Sequence, residues 1–418
     1  MGKKIYGLLG EHLTHSYSPA IHAALGDYEY RLFEVAPSDL SAFLTEGDFA
    51  GINVTIPYKK SVIPYLSEIS DAAKKIGSVN TVLRRSDGSL YGDNTDYYGF
   101  SHMLDRAKID VAGKKCLILG SGGASLTAVA VVTDRGGTPV VISRTGENNY
   151  ENIADHADAD VIINTTPVGM YPNNGECPVD LSVFPHLSGV ADVIYNPRRT
   201  ALLQQAEGRG IPSAGGLTML VAQAKRASEL FFDTTRPDSL IDSVTAQMRN
   251  DMENIILVGM PGCGKSTVGR TLANSTGKKF ADTDEEIVRL SGRTPAEIIR
   301  EDGEDAFRQI EHEAICRLGK LSGHVIATGG GVVTRTENYA PLHQNGTVVF
   351  LRRPLEELSS AGRPLSQSVG VEALYEKRLP LYEAWADTRA DTLENPRKTA
   401  DAVLAAVKLA KENTGGSI

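Results

Sequence analysis

Residues 255–267 read Ile255-Ile256-Leu257-Val258-Gly259-Met260-Pro261-Gly262-Cys263-Gly264-Lys265-Ser266-Thr267, an apolar run that turns through three glycines into Lys-Ser-Thr. The spacing Gly259-x4-Gly264-Lys265-Ser266 is that of a phosphate-binding loop, and its context is right: a strand before it and, over 267–273, a predicted helix after it. Glycines let backbone N–H groups face phosphate oxygens, the lysine reaches the terminal phosphates, and the hydroxyl that follows can ligate Mg²⁺. This assigns Gly262, Cys263, Gly264, Lys265, Ser266 and Thr267 to an ATP site. Asp282-Thr283-Asp284 follows the loop helix and sets two carboxylates at a strand end, Asp282 for the Mg²⁺ hydration shell with Ser266, and Asp284 for a substrate hydroxyl. The blander role of these aspartates is capping the helix that begins at Glu285-Glu286-Ile287. No Asn-Lys-x-Asp stretch is present to read guanine.

Working outward, apolar runs alternate with helix-period stretches along the whole chain, among them 5–9, 51–56, 116–119, 140–143, 161–164, 190–195 and 348–351. That alternation predicts an α/β protein with parallel sheets. A second glycine turn follows Cys116-Leu117-Ile118-Leu119, with Gly120, Ser121, Gly122, Gly123 and Ala124 opening a helix of small residues. This is a dinucleotide turn, with pyrophosphate expected on the helix N-terminus. The next strand ends at Arg144-Thr145 instead of an acidic residue, so a 2′-phosphate meets no repulsion and NADP(H) is preferred over NAD. Gly146-Glu147-Asn148-Asn149 supplies no second cation, so that selectivity is expected to be modest.

A chain of 418 residues exceeds what one core supports, so more than one domain is expected. The net charge of −9, without a Lys/Arg run, argues against nucleic acid and requires any anionic substrate to be held by local cations. Four cysteines, Cys116, Cys177, Cys263 and Cys316, have neither metal nor redox spacing and read as reduced thiols of a cytoplasmic protein. The apolar run at 5–9 is too short for a signal peptide or a membrane span. Near the middle, Leu240, Ile241, Val244 and Met248 recur at helical spacing, after which Arg249-Asn250-Asp251 is polar enough to lie in water. The break between two halves is placed there. The halves are expected to fold and act independently, with no tunnel between them.

From Ile255 to about Asp391 the sequence resembles shikimate kinase. Gly303-Glu304-x2-Phe307-Arg308-x2-Glu311 looks like that family's carboxylate-binding segment, Gly329-Gly330-Gly331 its substrate-side turn, Arg363-Pro364-Leu365 its lid, and Arg378-x2-Leu381-Tyr382 its second substrate arginine. The resemblance implies that Asp284, Arg308, Gly330 and Arg378 bind shikimate and that Arg363 swings over the transferring phosphoryl group. Planar guanidinium forks suit a carboxylate. Arg308 also has Glu304 and Glu311 at helical spacing, so a helix salt bridge is a competing role. Leu358-Ser359-Ser360 departs from the arginine that relatives often carry beside the adenine.

Residues 5–248 resemble shikimate dehydrogenase. The matching blocks are Ser16-Tyr17-Ser18-Pro19, Asn53-Val54-Thr55-Ile56-Pro57-Tyr58-Lys59, Val79-Asn80-Thr81, Gly92-Asp93-Asn94-Thr95-Asp96, Asn164-Thr165-Thr166-Pro167-Val168-Gly169-Met170, Asp192-Val193-Ile194-Tyr195-Asn196-Pro197, and the segment 215–223 from Gly215-Gly216 to Gln223. Leu126 replaces a position often basic in relatives. The resemblance implies reduction of a ring ketone, with Lys59 as proton donor oriented by Asp96, and Ser16, Ser18, Thr55, Asn80, Tyr195 and Gln223 around the substrate. Gly216 joins the cofactor side. Residues 1–102 and 217–249 then form a substrate domain, 103–216 a Rossmann-type NADP domain, and 253–418 a parallel α/β kinase domain with a lid. Two consecutive steps result, reduction of 3-dehydroshikimate and phosphorylation of shikimate. A catalytically silent first half is the alternative that Lys59 and Asp96 oppose, and a quinate-preferring one is opposed by Ser18 in place of threonine. Oligomeric state is left open.

Overall fold

The computed structural model describes residues 4–13, 16–358 and 370–413. Three sheets follow one another along the chain. Strands β1 (Tyr6–Gly10), β2 (Tyr30–Glu34), β3 (Gly51–Val54), β4 (Glu68–Ile69), β5 (Thr81–Arg84) and β6 (Leu90–Asp93) form a mixed sheet in the order β2-β1-β3-β5-β6-β4. In β1 every residue is buried, as a strand covered on both faces must be, whereas edge strand β2 has no buried residue. The second sheet, from β7 (Lys115–Leu119), β8 (Thr138–Ile142), β9 (Val161–Asn164), β10 (Gly189–Asp192) and β11 (Ser213–Gly215), runs β11-β10-β9-β7-β8 and is parallel throughout. Its order reverses beside β7, which puts a binding crevice at that strand's carboxyl end. The third sheet is also parallel. It comprises β12 (Asn254–Val258), β13 (Lys279–Asp282), β14 (His324–Ala327), β15 (Gly346–Arg352) and β16 (Thr388–Asp391) in the order β13-β14-β12-β15-β16, so the phosphate loop leaves the central strand.

Helices α1 (Ser18–Leu25), α2 (Leu40–Glu46) and α3 (Asp71–Ile76) accompany the first sheet. Then α4 (Asp96–Arg106) crosses to the second, burying Phe100, Met103 and Leu104 with α5 (Gly123–Asp134), while α6 (Ala201–Gly208) covers the other face. The chain returns in α7 (Leu217–Phe232) and α8 (Ser239–Met252), whose Ile241, Val244 and Met248 pack on Ile21, Leu25 and Val221. That is the docked stripe expected from their spacing.

In the last part, α9 (Lys265–Thr276) and α15 (Pro396–Asn413) flank one side of the sheet, with α10 (Thr283–Ser291), α11 (Pro295–Asp302), α12 (Glu304–Gly319), α13 (Tyr339–His343) and α14 (Val371–Trp385) between them in sequence. Phe307 and Ala314 of α12 are buried and Ile310 is partly buried, the stripe read from the sequence. Helix α9 begins two residues before the expected Thr267. Gly264 makes the early start possible, because it caps the helix at φ 98°, a conformation that a side chain disfavours.

The expected breaks at 102 and 249 fall inside helices, α4 running to Arg106 and α8 to Met252. Asn250 and Asp251 are exposed as expected, but Arg249 is partly buried, and Met252, Glu253 and Asn254 are all buried. The reason is packing: Met252 joins the apolar cluster of α7 and α8, and β12 starts immediately beyond Glu253. The join is one residue long and does not lie in water.

Two candidate active sites

The first site lies at the carboxyl ends of β1 and β3. A cavity of about 470 Å³ is lined by Ser16, Ser18, Thr55, Lys59, Asn80, Tyr195 and Gln223, seven of the residues expected there. Lys59 Nζ donates to Asp96 Oδ2 at 2.5 Å, with Asp96 6% exposed at the start of α4. The contact gives the lysine side chain a fixed direction. Asn80 spans two elements: its Oδ1 accepts from Thr95 N at 2.7 Å and its Nδ2 donates to Gln223 Oε1 at 3.0 Å. Gln223 is brought there by the close approach of α4 and α7, where a Cβ on Gly99 would stand 2.6 Å from Met219 O.

Sequence reasoning passed over His22 and Asn53, which also line this cavity. Asn53 accepts from Tyr30 O–H at 2.8 Å and donates to Thr81 Oγ1 at 3.1 Å, while the His22 ring stacks on Tyr30 at 3.9 Å. Burial lowers the His22 pKa to about 3, so the imidazole is neutral. Asn53 stood in a quoted motif; His22, a lone histidine in an apolar helix, carried no signal.

The glycine turn follows β7 of the second sheet. Gly120 has φ 104° and sits against Thr165 and Thr166, fixing the bend. Ser121, Gly122 and Gly123 are exposed, Ala124 is partly buried in the first turn of α5, and a Cβ on either Gly122 or Gly123 would meet nothing within 4 Å. This is the room a pyrophosphate needs at a helix N-terminus. Arg144 and Thr145 are exposed just beyond β8, and with the open turn the residues present are compatible with a dinucleotide. Gly216 follows β11 of the same sheet and caps α7, where a Cβ would stand 2.0 Å from Val193 O.

The second site is a cavity of about 660 Å³ at the carboxyl end of β12. Gly262, Gly264, Lys265, Ser266 and Thr267 line it, whereas the Cys263 side chain is fully buried behind the loop. Lys265 Nζ rests on Gly259 O at 2.8 Å and Met260 O at 2.9 Å. Ser266 Oγ donates to Asp282 Oδ2 at 2.7 Å, and Asp282 Oδ1 accepts from Asp284 N at 2.9 Å. Asp282 thus caps α10 with one oxygen and meets the loop hydroxyl with the other, so both of its expected roles are compatible. The Ser266–Asp282 pair has the oxygen donors that a phosphate-bound Mg²⁺ would use.

Across the cavity stand Arg308 and Arg378, both buried. Arg308 Nη1 donates to Glu311 Oε2 at 2.7 Å and Nη2 to Glu304 Oε1 at 3.0 Å, so the helix salt bridges exist as well as the cavity position. Burial opposes its charge, but Glu311 and Glu304 hold the pKa above the usual arginine value. Arg378 Nη1 and Tyr382 O–H both donate to Gly330 O, the former at 3.2 Å. The Gly329-Gly330-Gly331 turn is tightly packed. A Cβ would stand 2.6 Å from Glu311 at Gly329, 2.6 Å from Pro261 at Gly330, and 2.2 Å from Arg308 at Gly331. Thr294, Ile299 and Arg353 also line the cavity and were not expected; the Thr294-x2-Glu297 capping box marked only a helix start. Arg363 lies outside the described residues.

Comparison with known proteins agrees with both halves. Residues 8–82 match the family model of the shikimate dehydrogenase substrate binding domain, and 261–408 that of shikimate kinase. A shikimate dehydrogenase (NADP(+)) of Clostridium beijerinckii is 36% identical over 271 residues, 60% of this chain and 100% of the relative. Among solved structures, a chorismate mutase/shikimate 5-dehydrogenase fusion protein from Clostridium acetobutylicum shares 36% identity with a TM-score of 0.56, covering 59% of this chain and 98% of that one. Shikimate dehydrogenase 1 from Peptoclostridium difficile gives 39% and 0.54, covering 59% and 97%.

Proposed function

Because the chain belongs to the shikimate dehydrogenase family through its first part and carries a shikimate kinase domain behind it, we propose that its two cavities serve successive reactions on one ring acid. The protein is a bifunctional shikimate-pathway enzyme: it reduces 3-dehydroshikimate with NADPH and phosphorylates shikimate at its 3-hydroxyl with ATP. We divide the chain at the observed helix ends, with the kinase domain beginning at β12.

The observation that carries the first assignment is the Lys59–Asp96 contact beside a cavity of uncharged hydrogen-bonding groups. Lys59 donates the proton that meets the developing alkoxide, and Asp96 holds the ammonium in place. Ser16, Ser18, Thr55, Asn80, Tyr195 and Gln223 bind the hydroxyls and carboxylate. Bound NADPH supplies the hydride, its pyrophosphate resting on residues 120–124 and its 2′-phosphate on Arg144.

In the second cavity Arg308 and Arg378 take the carboxylate, and Asp284 orients the hydroxyl that is phosphorylated. Lys265 steadies the terminal phosphates of ATP, with Ser266 and Asp282 holding Mg²⁺. Among the described residues no helix is long and apolar enough to cross a membrane; the need for NADPH and ATP supports a cytoplasmic site.

The test supplies the purified protein with 3-dehydroshikimate, NADPH and MgATP. Shikimate 3-phosphate forms, and Lys265→Ala stops the sequence at shikimate. NADPH consumption without either product would overturn the assignment.

A further inference from the structure

The loop after β10 belongs to the dehydrogenase half and is closed at its base. Asp192 Oδ1 accepts from Ile194 N at 3.0 Å and Asp192 Oδ2 from Thr200 Oγ1 at 2.7 Å. On its outer side, two successive backbone N–H groups are taken by the kinase half: Arg198 N donates to Asn345 Oδ1 at 2.8 Å and Arg199 N to Gln344 O at 2.9 Å. Asn345 is itself fixed, since its carbonyl accepts from Asn254 N at 2.8 Å.

Arg198 reaches inward beside the join. Its Nη2 stands 3.6 Å from Glu253 Oε1, the same oxygen that accepts from Thr347 Oγ1 at 2.6 Å, and Lys411 pairs with the other carboxylate oxygen. Burial works against the charge of Glu253, but Arg198 and Lys411 outweigh it and hold its carboxyl below the usual range. Four parts of the chain therefore meet at one buried carboxylate: the loop, the join, β15 and α15.

Tyr195 stands between this junction and the first active site. It lines the 470 Å³ substrate cavity, and with Arg198, Glu253 and Asn345 it also lines a void of about 10 Å³ at the junction. Only two residues separate Tyr195 from Arg198, and Asn196 O between them is held by Tyr171 N at 3.0 Å. A segment so short, bonded on both flanks, transmits a shift of Arg198 to Tyr195.

We propose that Asn345 and Glu253 are positioning residues for the dehydrogenase, so that the kinase half completes the wall of the ketone-binding cavity through Arg198 and Tyr195. The proposal rests on the reading of Tyr195 as a substrate contact. It runs against the expectation of independent halves.

Asn345→Leu in the full chain removes the acceptor for Arg198 N. The dehydrogenase KM for shikimate rises about two- to tenfold, the range for one lost hydrogen bond, while the kinase KM for shikimate and the melting temperature stay within error. Asn345→Asp, which keeps Oδ1, restores the dehydrogenase KM. If Leu at 345 does not fold, Glu253→Gln keeps the shape, removes the charge facing Arg198, and raises the same KM. Unchanged dehydrogenase constants in a folded variant, or a parallel decline of both activities with the melting temperature, overturn the proposal. Tyr195→Phe is measured alongside: if it leaves the shikimate KM unaltered, the substrate-contact reading fails, whatever the Asn345 variants do.

Discussion

Two of the glycine turns at the candidate sites are packed in opposite ways. At 329–331 each glycine is a point of close approach, pressed by Glu311, Pro261 and Arg308, and the arginines that face the cavity are the same groups that hold the turn. At 120–123 only Gly120 is confined, while Gly122 and Gly123 look onto open space and Arg144 stands exposed beyond the neighbouring strand. With the proposed roles, recognition and stability would share their residues in the kinase and be separated on the cofactor side of the dehydrogenase. A substitution in the first should disturb both properties; one in the second should disturb binding alone.

The largest effect is expected from Lys265→Ala, which removes the buried lysine that the proposed function sets on the terminal phosphates. Phosphorylation should fall about 10²- to 10³-fold, with ketone reduction retained, in separate assays of the one protein. Lys59→Ala reverses the pattern, with reduction down about 10²-fold or more and phosphorylation intact; a variant that reduces the ketone normally would remove Lys59 from the mechanism.

Arg144→Ala tests the open side. Losing one charge-assisted contact of about 1.5 to 3 kcal/mol should raise KM for NADPH roughly 10- to 100-fold and leave KM for NADH alone. Equal changes for the two cofactors would show that Arg144 does not read the 2′-phosphate.

The comparison breaks most directly on a pair of alanines. Gly331→Ala forces Arg308 to move and should cost about 1 to 3 kcal/mol of stability together with shikimate affinity in the kinase. Gly122→Ala, in open space at φ −83°, should leave the melting temperature unchanged while weakening NADPH. Similar melting temperatures for both variants would end the distinction.

A separate effect concerns pH. His22 titrates near 6.5 when unfolded and about 3 when folded, so below pH 6.5 the unfolded chain binds a proton that the folded chain refuses, and stability falls by about 1.4 kcal/mol per unit. Burial raises Asp192 from 3.8 to about 6, which acts with opposite sign: stability is gained as pH falls from 6 toward 3.8. The two slopes oppose each other between roughly pH 4 and 6. His22→Phe should remove the first, so that the stability difference between variant and native chain shifts toward the variant by about 1.4 kcal/mol per unit as pH falls below 6.5, measured by denaturant unfolding at a series of pH values.

What the sequence made legible was chemistry confined to short spacings. The phosphate loop, the paired aspartates, the Lys59 segment and the glycine turns each need particular residue types within a few positions, and each was found in its place. Boundaries were less legible, because Asn250 and Asp251 are exposed yet helical, and polarity alone cannot distinguish an exposed helix face from a linker. Long-range partners were not legible at all. Glu253 meets Arg198, Thr347 and Lys411, which lie 55 to 158 residues away in the numbering, and no local pattern marks such a meeting. The close packing of Gly216 was hidden for the same reason: its constraint is the carbonyl of Val193, a contact made only by the fold.

The one-residue join also bears on how the protein can be taken apart. Proteases nick exposed, extended chain. Between α8 and β12 they meet Met252, Glu253 and Asn254, all buried and held in place by helix and strand on either side. Limited digestion should therefore not liberate an intact kinase by cutting at the boundary, and a preparation that loses one activity will have lost it through cleavage inside that half.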